Sequence, residues 1–215
     1  MKDLLAAGTA VVADVLDSMG VEPTVLAPTI RPVTSETRFV GPAYTIVGES
    51  HQSTATGDRP KLAAIDAMPP GVVPVWSGGD ITGVCCFGDL LAEAMKQRGC
   101  VGVVVDGGVR DVSYLEQLGM PVRARYRSPA QAIGRWRVTA TEETVRVRGA
   151  LSEWVTIDPG DLIVSDEDGV IALKSSHVPR VCEEVRAWSG TETQSREAIR
   201  NGASLLSALD QFGHL

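Results

Sequence analysis

The sequence predicts a mixed α/β protein with helices packed outside β layers, and three features carry that prediction. Residues 101–105, Val-Gly-Val-Val-Val, form a β-branched run broken by one glycine, the pattern of a strand buried on both faces as in a parallel sheet. A helical apolar stripe of Leu90, Leu91, Ala94 and Met95 precedes it and ends at Gly99, so strand, helix and strand imply a right-handed crossover. From residue 136 onward the pattern changes to short alternating segments, typical of antiparallel strands.

The remaining elements follow in order. Leu4, Leu5, Val11, Val12, Val15, Leu16 and Met19 recur at helical spacing, and Gly20 is a natural stop. Pro23, Pro28 and Pro32 mark an irregular connection across the surface. Residues 39–47 read as a strand entered through Gly41-Pro42, and residues 49–60 as a polar loop able to carry function. A short helix over 61–68 stops at Pro69-Pro70-Gly71, and strands follow at 72–76 and 84–87. Beyond the central strand come a turn at 106–109, a helix over 112–118 and a strand over 120–126. The alternating segments are 136–140, 145–147 and 154–157. Residues 162–164 and 170–173 flank Asp166-Glu167-Asp168-Gly169, a strong hairpin signal. Residues 178–188 and 195–209 read as closing helices. With no clear linker or repeat, residues 1–215 read as one domain.

Composition narrows the function. The formal net charge is −7, which argues against a general nucleic-acid surface but leaves room for a local arginine to hold an anion in a cleft. No stretch is long and apolar enough to span a bilayer, and the first twenty residues lack the basic and continuous apolar regions of a signal peptide, Asp14 and Asp17 interrupting them. These features predict a cytoplasmic protein with neither a membrane nor a nucleic-acid partner. Cys85, Cys86, Cys100 and Cys182 form no C-x-x-C pair and read as reduced, buried thiols. His51, His177 and His214 are scattered without metal-binding spacing.

Two short segments carry candidate chemistry. Arg110-Asp111 follows the buried strand through Asp106-Gly107-Gly108-Val109, and loops leaving the carboxyl ends of such strands are where ligands bind in α/β folds. Arg binds carboxylates bidentately, and Asp is a hard oxygen ligand for magnesium or manganese. The alternative is a surface ion pair of little consequence. Gly88-Asp89-Leu90-Leu91 opens a helix, whose first N–H groups and positive dipole suit a carboxylate or enolate; equally, Asp89 is a plain helix cap.

At this point the chain resembles a known family. Residues 12–20 (VADVLDSMG), 39–43 (FVGPA), 102–111 (GVVVDGGVRD) and 159–170 (PGDLIVSDEDGV), in that order, are similar to the RraA-like family, which includes class II 4-hydroxy-4-methyl-2-oxoglutarate aldolases that also decarboxylate oxaloacetate. The resemblance covers nearly the whole chain. It implies a swivelling β/β/α sandwich and a homotrimer, in some members stacked to a hexamer, with active sites between subunits. It implies that Asp111 holds magnesium or manganese through a water-rich shell and that Arg110 binds and polarises a small 2-oxo acid substrate. Backbone N–H groups of Gly88, Asp89, Leu90 and Leu91 would hold the substrate carboxylate, and Asp89 would order a metal-bound water. No lysine Schiff base is required; Lys61, Lys96 and Lys174 show no claim to that role.

One position departs from the family pattern R-D-x-x-E/D. The run here is Arg110-Asp111-Val112-Ser113-Tyr114, so a carboxylate is replaced by a phenol. The change predicts lower metal affinity and weaker lyase activity, and Glu116 points elsewhere along the helix. Relatives with Gly-Asp-Asn at the position of Gly57-Asp58-Arg59 leave Arg59 as an anion contact or a solvent-facing side chain. The alternative implied by the family is a non-catalytic regulator that binds a ribonuclease and its helicase partners.

Overall fold

The computed structural model describes residues 1–54, 57–79 and 81–213, with the side chain of Ser189 left aside. Residues 55 and 56 of the predicted loop and His214 lie outside the described residues. The helices are α1 (Lys2–Ser18), α2 (Arg59–Asp66), α3 (Asp89–Gln97), α4 (Val112–Leu118), α5 (Val178–Arg200) and α6 (Leu205–Phe212). The strands are β1 (Arg31–Pro32), β2 (Phe39–Ser50), β3 (Val73–Ser77), β4 (Cys85–Phe87), β5 (Val103–Val109), β6 (Val122–Arg127), β7 (Trp136–Thr141), β8 (Val145–Arg148), β9 (Trp154–Ile157), β10 (Leu162–Ser165) and β11 (Val170–Leu173).

Among the described residues, nine strands form one curled sheet in the order β1-β6-β5-β3-β2-β10-β11, with β4 added to β5 and β7 to β2; β8 and β9 pair separately. The centre is parallel: β2 with β3, β3 with β5, and β5 with β6. The flanks are antiparallel, as the alternating segments and the hairpin signal predict. One face of the centre packs on α2, α3 and α4 through Ala64, Ile65, Met68, Ala92, Met95 and Leu115. The other face packs Val73, Val75 and Val104 on the β8–β9 ribbon through Val145, Val147, Val155 and Ile157. Helix, sheet and second β layer make the β/β/α architecture that the resemblance implies.

Three elements differ from expectation. β2 runs to Ser50 rather than ending at 47, because β7 pairs with it from Ile46 to Ser50. The turn expected at 106–109 is strand: Gly108 pairs with Cys85 on one edge and Tyr126 on the other, so the backbone groups that a Gly-Gly pair frees for turning are spent on the ladder. The two closing helices divide at 201–204 instead of 189–194. A lone Gly190 costs a helix about 1 kcal/mol, too little to end it, whereas Gly202 takes φ +97° and Ser204 caps α6 by accepting from Ser207 N at 3.1 Å.

The Asp166–Gly169 turn between β10 and β11 has a structural task. α1 is kinked at Gly8 (φ 88°, ψ 172°), and Asp166 restarts it by accepting from Thr9 N at 2.5 Å and Thr9 Oγ1 at 2.7 Å. A Cβ on Gly8 would lie 2.8 Å from Asp166 Oδ2, so the positive φ and the close approach both require glycine there. The same carboxylate accepts from Asp168 N and Gly169 N. Burial works to raise the Asp166 carboxyl, but the hydrogen bonds from Thr9, Asp168 and Gly169 together hold it below the ordinary carboxylate value.

Asp166→Ala strands several of these donors in a buried site and is expected to cost about 3 kcal/mol in urea unfolding at pH 7. The folded carboxyl titrates below the unfolded one, so this contribution is complete above roughly pH 4 and is lost as acid protonates the folded carboxylate. Wild type and variant should therefore converge in acid; curves that stay equally separated down to pH 2 would contradict a charge-dependent cap.

Candidate active site

β5 is buried along its whole length, and the chain first reaches solvent at Arg110 and Asp111, whose side chains are 42% and 33% exposed. Asp111 adopts left-handed φ 59°, ψ 35° ahead of α4. That conformation costs a non-glycine residue on the order of 1 kcal/mol. Asp111 Oδ2 accepts from Asp89 N at 3.2 Å, at the start of α3, and from Arg110 Nε at 3.2 Å. Gly88 permits the contact: a Cβ there would lie 2.6 Å from Asp111 Oδ2. The carboxylate is thus braced on the positive end of α3, where a negative charge is favoured.

The first turn of α3 is not fully open to a ligand. Asp89 N is held by Asp111, and Leu90 N donates to the Asp89 side chain at 2.7 Å. No described side chain accepts from Leu91 N. A substrate carboxylate would share this turn with two resident carboxylates.

A cavity of about 350 Å³ opens beside it, lined by Asp58, Lys61 and Leu62 of the α2 region, Cys85 to Phe87 of β4, Gly88, Asp89, Leu90 and Leu91, Arg110, and Gln131 to Ile133. A second, more open hollow of about 370 Å³ is lined by Val109, Arg110, Asp111, Arg127, Ser128 and Pro129. Arg110 borders both, whereas Asp111 faces the second and the α3 turn the first. The structure therefore brings together all six residues singled out in the sequence, Gly88, Asp89, Leu90, Leu91, Arg110 and Asp111, but distributes them over two sides of one arginine.

Tyr114 is exposed and donates to Glu93 Oε2 at 2.9 Å, and Gln97 Nε2 donates to Glu93 Oε1 at 3.0 Å. These bonds, Gln97 first, hold the Glu93 carboxyl below its ordinary value, and the Glu93 partnership raises the Tyr114 phenol. Glu116 is turned away and holds Ser35 through its backbone and hydroxyl. Arg59 is exposed and does not line the cavity, so its solvent-facing alternative is the one observed.

Lys61, weighed from the sequence only for a Schiff-base role, also lines the cavity. Its side chain is 9% exposed, pairs with Asp58 at 3.5 Å and lies 5.2 Å from the Trp136 ring centroid. The signal was available: Lys61 sits on the buried stripe of α2 with Ala64 and Ile65, where an apolar residue is expected.

The donor set fits a divalent ion held openly and mainly by water. Both contacts to Asp111 fall on Oδ2, and no described residue donates to Oδ1. Magnesium needs only one or two carboxylates alongside its waters. Among the described residues no three His, Cys, Asp or Glu side chains form a closed cage.

The thiols match the expectation of burial in three cases of four. Cys85, Cys86 and Cys100 are buried and Cys182 is half-buried. Burial pushes Cys86 up to about 12 and Cys100 to about 11, and it raises Cys85. Ellman's reagent should titrate Cys182 first in the native protein and the other three only after denaturation; rapid reaction of all four would contradict this burial.

Comparison with known proteins places the chain. The family model described as RraA-like, Aldolase/RraA, matches residues 9–172. DlpA of Legionella pneumophila is 28% identical over 99% of this chain, which spans about 33% of that protein's length. A protein of Halalkalibacterium halodurans described as "putative 4-hydroxy-4-methyl-2-oxoglutarate aldolase" is 29% identical over 93% of this chain and 88% of its own. Among solved structures, an uncharacterised protein from Pseudomonas syringae pv. tomato superposes with a TM-score of 0.82 at 29% identity, covering 94% of this chain and 89% of that one. RraAS2 of Streptomyces coelicolor shares the fold, with a TM-score of 0.75 at 24% identity over 91% and 94% of the two chains. With an Arg-Asp pair at the end of β5, a β/β/α frame and a model match over most of its length, the chain belongs to the RraA-like family.

Proposed function

We propose that this protein is a divalent-metal-dependent lyase acting on small 2-oxo acids, by retro-aldol cleavage, by β-decarboxylation of oxaloacetate, or both. The observation that carries it is the Arg110-Asp111 pair, braced on the start of α3 beside a cavity of substrate size. The aldolase description of relatives at 29% identity supports the same chemistry.

Both reactions share one hard step. The bond between C3 and C4 breaks, and its electron pair moves through C2 onto the 2-oxo oxygen, giving a pyruvate enolate. Asp111 would hold magnesium or manganese, with Asp89 alongside; the ion, when bound, supplies Lewis-acid stabilisation of that oxygen's charge. Arg110 orients the substrate and meets the developing negative charge with a fixed cation, an effect worth about 10²–10³ in rate for a well-aimed donor. Leu91 N, with Leu90 N once Asp89 yields it, holds the substrate carboxylate at the positive end of α3. Leu62, Phe87 and Ile133 limit water near the enolate. Retro-aldol cleavage also needs a base for the substrate hydroxyl, and decarboxylation does not, so decarboxylation survives better in a weakened site.

A second reading has a specific observation behind it. Tyr114 stands where active relatives carry a carboxylate, and a regulator that binds other proteins needs no intact metal shell. As part of the lyase proposal we take the chain to act as a homotrimer or hexamer.

Oxaloacetate decarboxylation assayed with manganese or magnesium should be abolished by EDTA and lowered at least about 10²-fold by Asp111→Ala and by Arg110→Met. Tyr114→Glu should raise the activity or its metal affinity. Turnover indifferent to EDTA and to Asp111→Ala would overturn the metal mechanism. No turnover in wild type, appearing only in Tyr114→Glu, would favour the regulator.

A further inference from the structure

Lys61 brings a charge to the cavity, and among the described residues its one ion-pair partner is Asp58. Its side chain is about nine-tenths buried. Asp58 Oδ2, its ion-pair partner at 3.5 Å, is buried and has no hydrogen-bond partner among the described residues. The other Asp58 oxygen is spent on the α2 cap, accepting from Lys61 N at 3.1 Å. The Trp136 ring lies 5.2 Å from the ammonium, and the cavity that Lys61 lines is apolar at Leu62, Phe87 and Ile133 and polar at Asp89, Arg110 and Gln131. An ammonium has three donors, and no described residue accepts a hydrogen bond from this one, so its donors are available to a ligand in the cavity.

The cavity therefore holds two cations with different duties. Arg110 stands at the end of β5 beside the α3 turn, and Lys61 rises from α2. Both line the same cavity of about 350 Å³, the size that takes one small ligand. Asp58 offsets the Lys61 charge only in part, because its cap on α2 holds it at ion-pair distance rather than in hydrogen-bonding geometry.

We propose that Lys61 is the specificity determinant of this cavity: it receives a second anionic group of the ligand, remote from the carboxylate held by Arg110 and the start of α3. Dianionic 2-oxo acids are then preferred over monoanionic ones of equal length. The identity of the reacting end rests on the lyase reading, but the selectivity is a property of binding and is measured without turnover.

The test is calorimetric titration of 2-oxoglutarate and 2-oxopentanoate, which have the same carbon chain and differ in one terminal carboxylate, in buffer containing magnesium. Wild type should favour 2-oxoglutarate by at least about tenfold, the worth of one charge-assisted hydrogen bond. Lys61→Met should reduce that ratio below about twofold while leaving 2-oxopentanoate affinity unchanged, and Lys61→Arg should retain it. Because Lys61→Met leaves Asp58 buried and unpaired, the double variant Asp58→Asn/Lys61→Met removes both charges while Asn keeps the cap; it should also lose the preference. Equal affinities in wild type, a preference surviving in both Met variants, or no binding of either ligand would overturn the proposal. Equal affinities with 2-oxo acid turnover intact would sink the role of Lys61 alone. Selectivity intact with no 2-oxo acid turned over would sink the lyase reading alone.

Discussion

A strand buried on both faces has no solvent in which to place polar side chains until it ends, and β5 imposes that limit on the whole protein. From Val103 to Val109 every residue is buried, with helices on one face and the β8–β9 ribbon on the other. Its one charged residue, Asp106, is fully buried and tolerated because Arg125 pairs with it at 3.1 Å and Arg148 N donates to it at 3.0 Å. Burial still raises the Asp106 carboxyl, the two arginines and the backbone bond working against it. Polar chemistry is therefore displaced to the strand's end, where Arg110 and Asp111 emerge beside the first turn of α3. The same parallel pairing that buries β5 brings β4, and hence Gly88, level with Val109. Site and core are two consequences of one register.

Electrostatic balance then decides how the site works. The α3 turn is already occupied by the carboxylates of Asp111 and Asp89, so it is not an empty anion hole waiting for substrate. Two of its donors, Asp89 N and Leu90 N, are satisfied at rest, so at those positions a ligand gains only the difference between its own bonds and those it displaces. The net attraction for an anion falls to Arg110 and Lys61. Arg110 is partly exposed and screened, while Lys61 is enclosed and keeps more of its field. The less conspicuous cation is thus placed to discriminate among ligands more sharply than the obvious one.

Much of this was legible in the sequence where local pattern and tertiary demand agree. The β-branched run, the α3 stripe and the Asp166–Gly169 hairpin each behave as their residues suggest. Misreadings arise where the two disagree. Gly107-Gly108 favours a turn in isolation, yet neighbours on both edges of β5 satisfy its backbone and keep it extended. Ser189-Gly190 looks like a helix break, but its cost is small beside the gain of continuing α5. Lys61 shows no claim to a Schiff-base role in the sequence, and its burial is visible only in the packing of Trp136 over it and of Asp58 beside it. The left-handed Asp111 is invisible from residue type alone, as is the close approach of its carboxylate to Gly88.

Tyr114 gains a different meaning once its partner is known. From sequence it is a missing carboxylate. In the structure its hydroxyl is bonded to Glu93, a carboxylate carried by α3 one turn beyond Asp89, so the negative charge is relocated to the neighbouring helix and tied down by a donor on each oxygen. A carboxylate held by a phenol and an amide is a weaker acceptor for further waters than a free one, because its lone pairs are partly spent. Both groups are exposed, where solvent and salt screen their charge within roughly 8 Å. A carboxylate therefore still stands beside position 114, carried by Glu93. Asp111 keeps its contacts to Asp89 N and Arg110 Nε beside Tyr114, so, on the lyase reading we propose, the change at 114 weakens the chemistry without removing its metal-binding carboxylate.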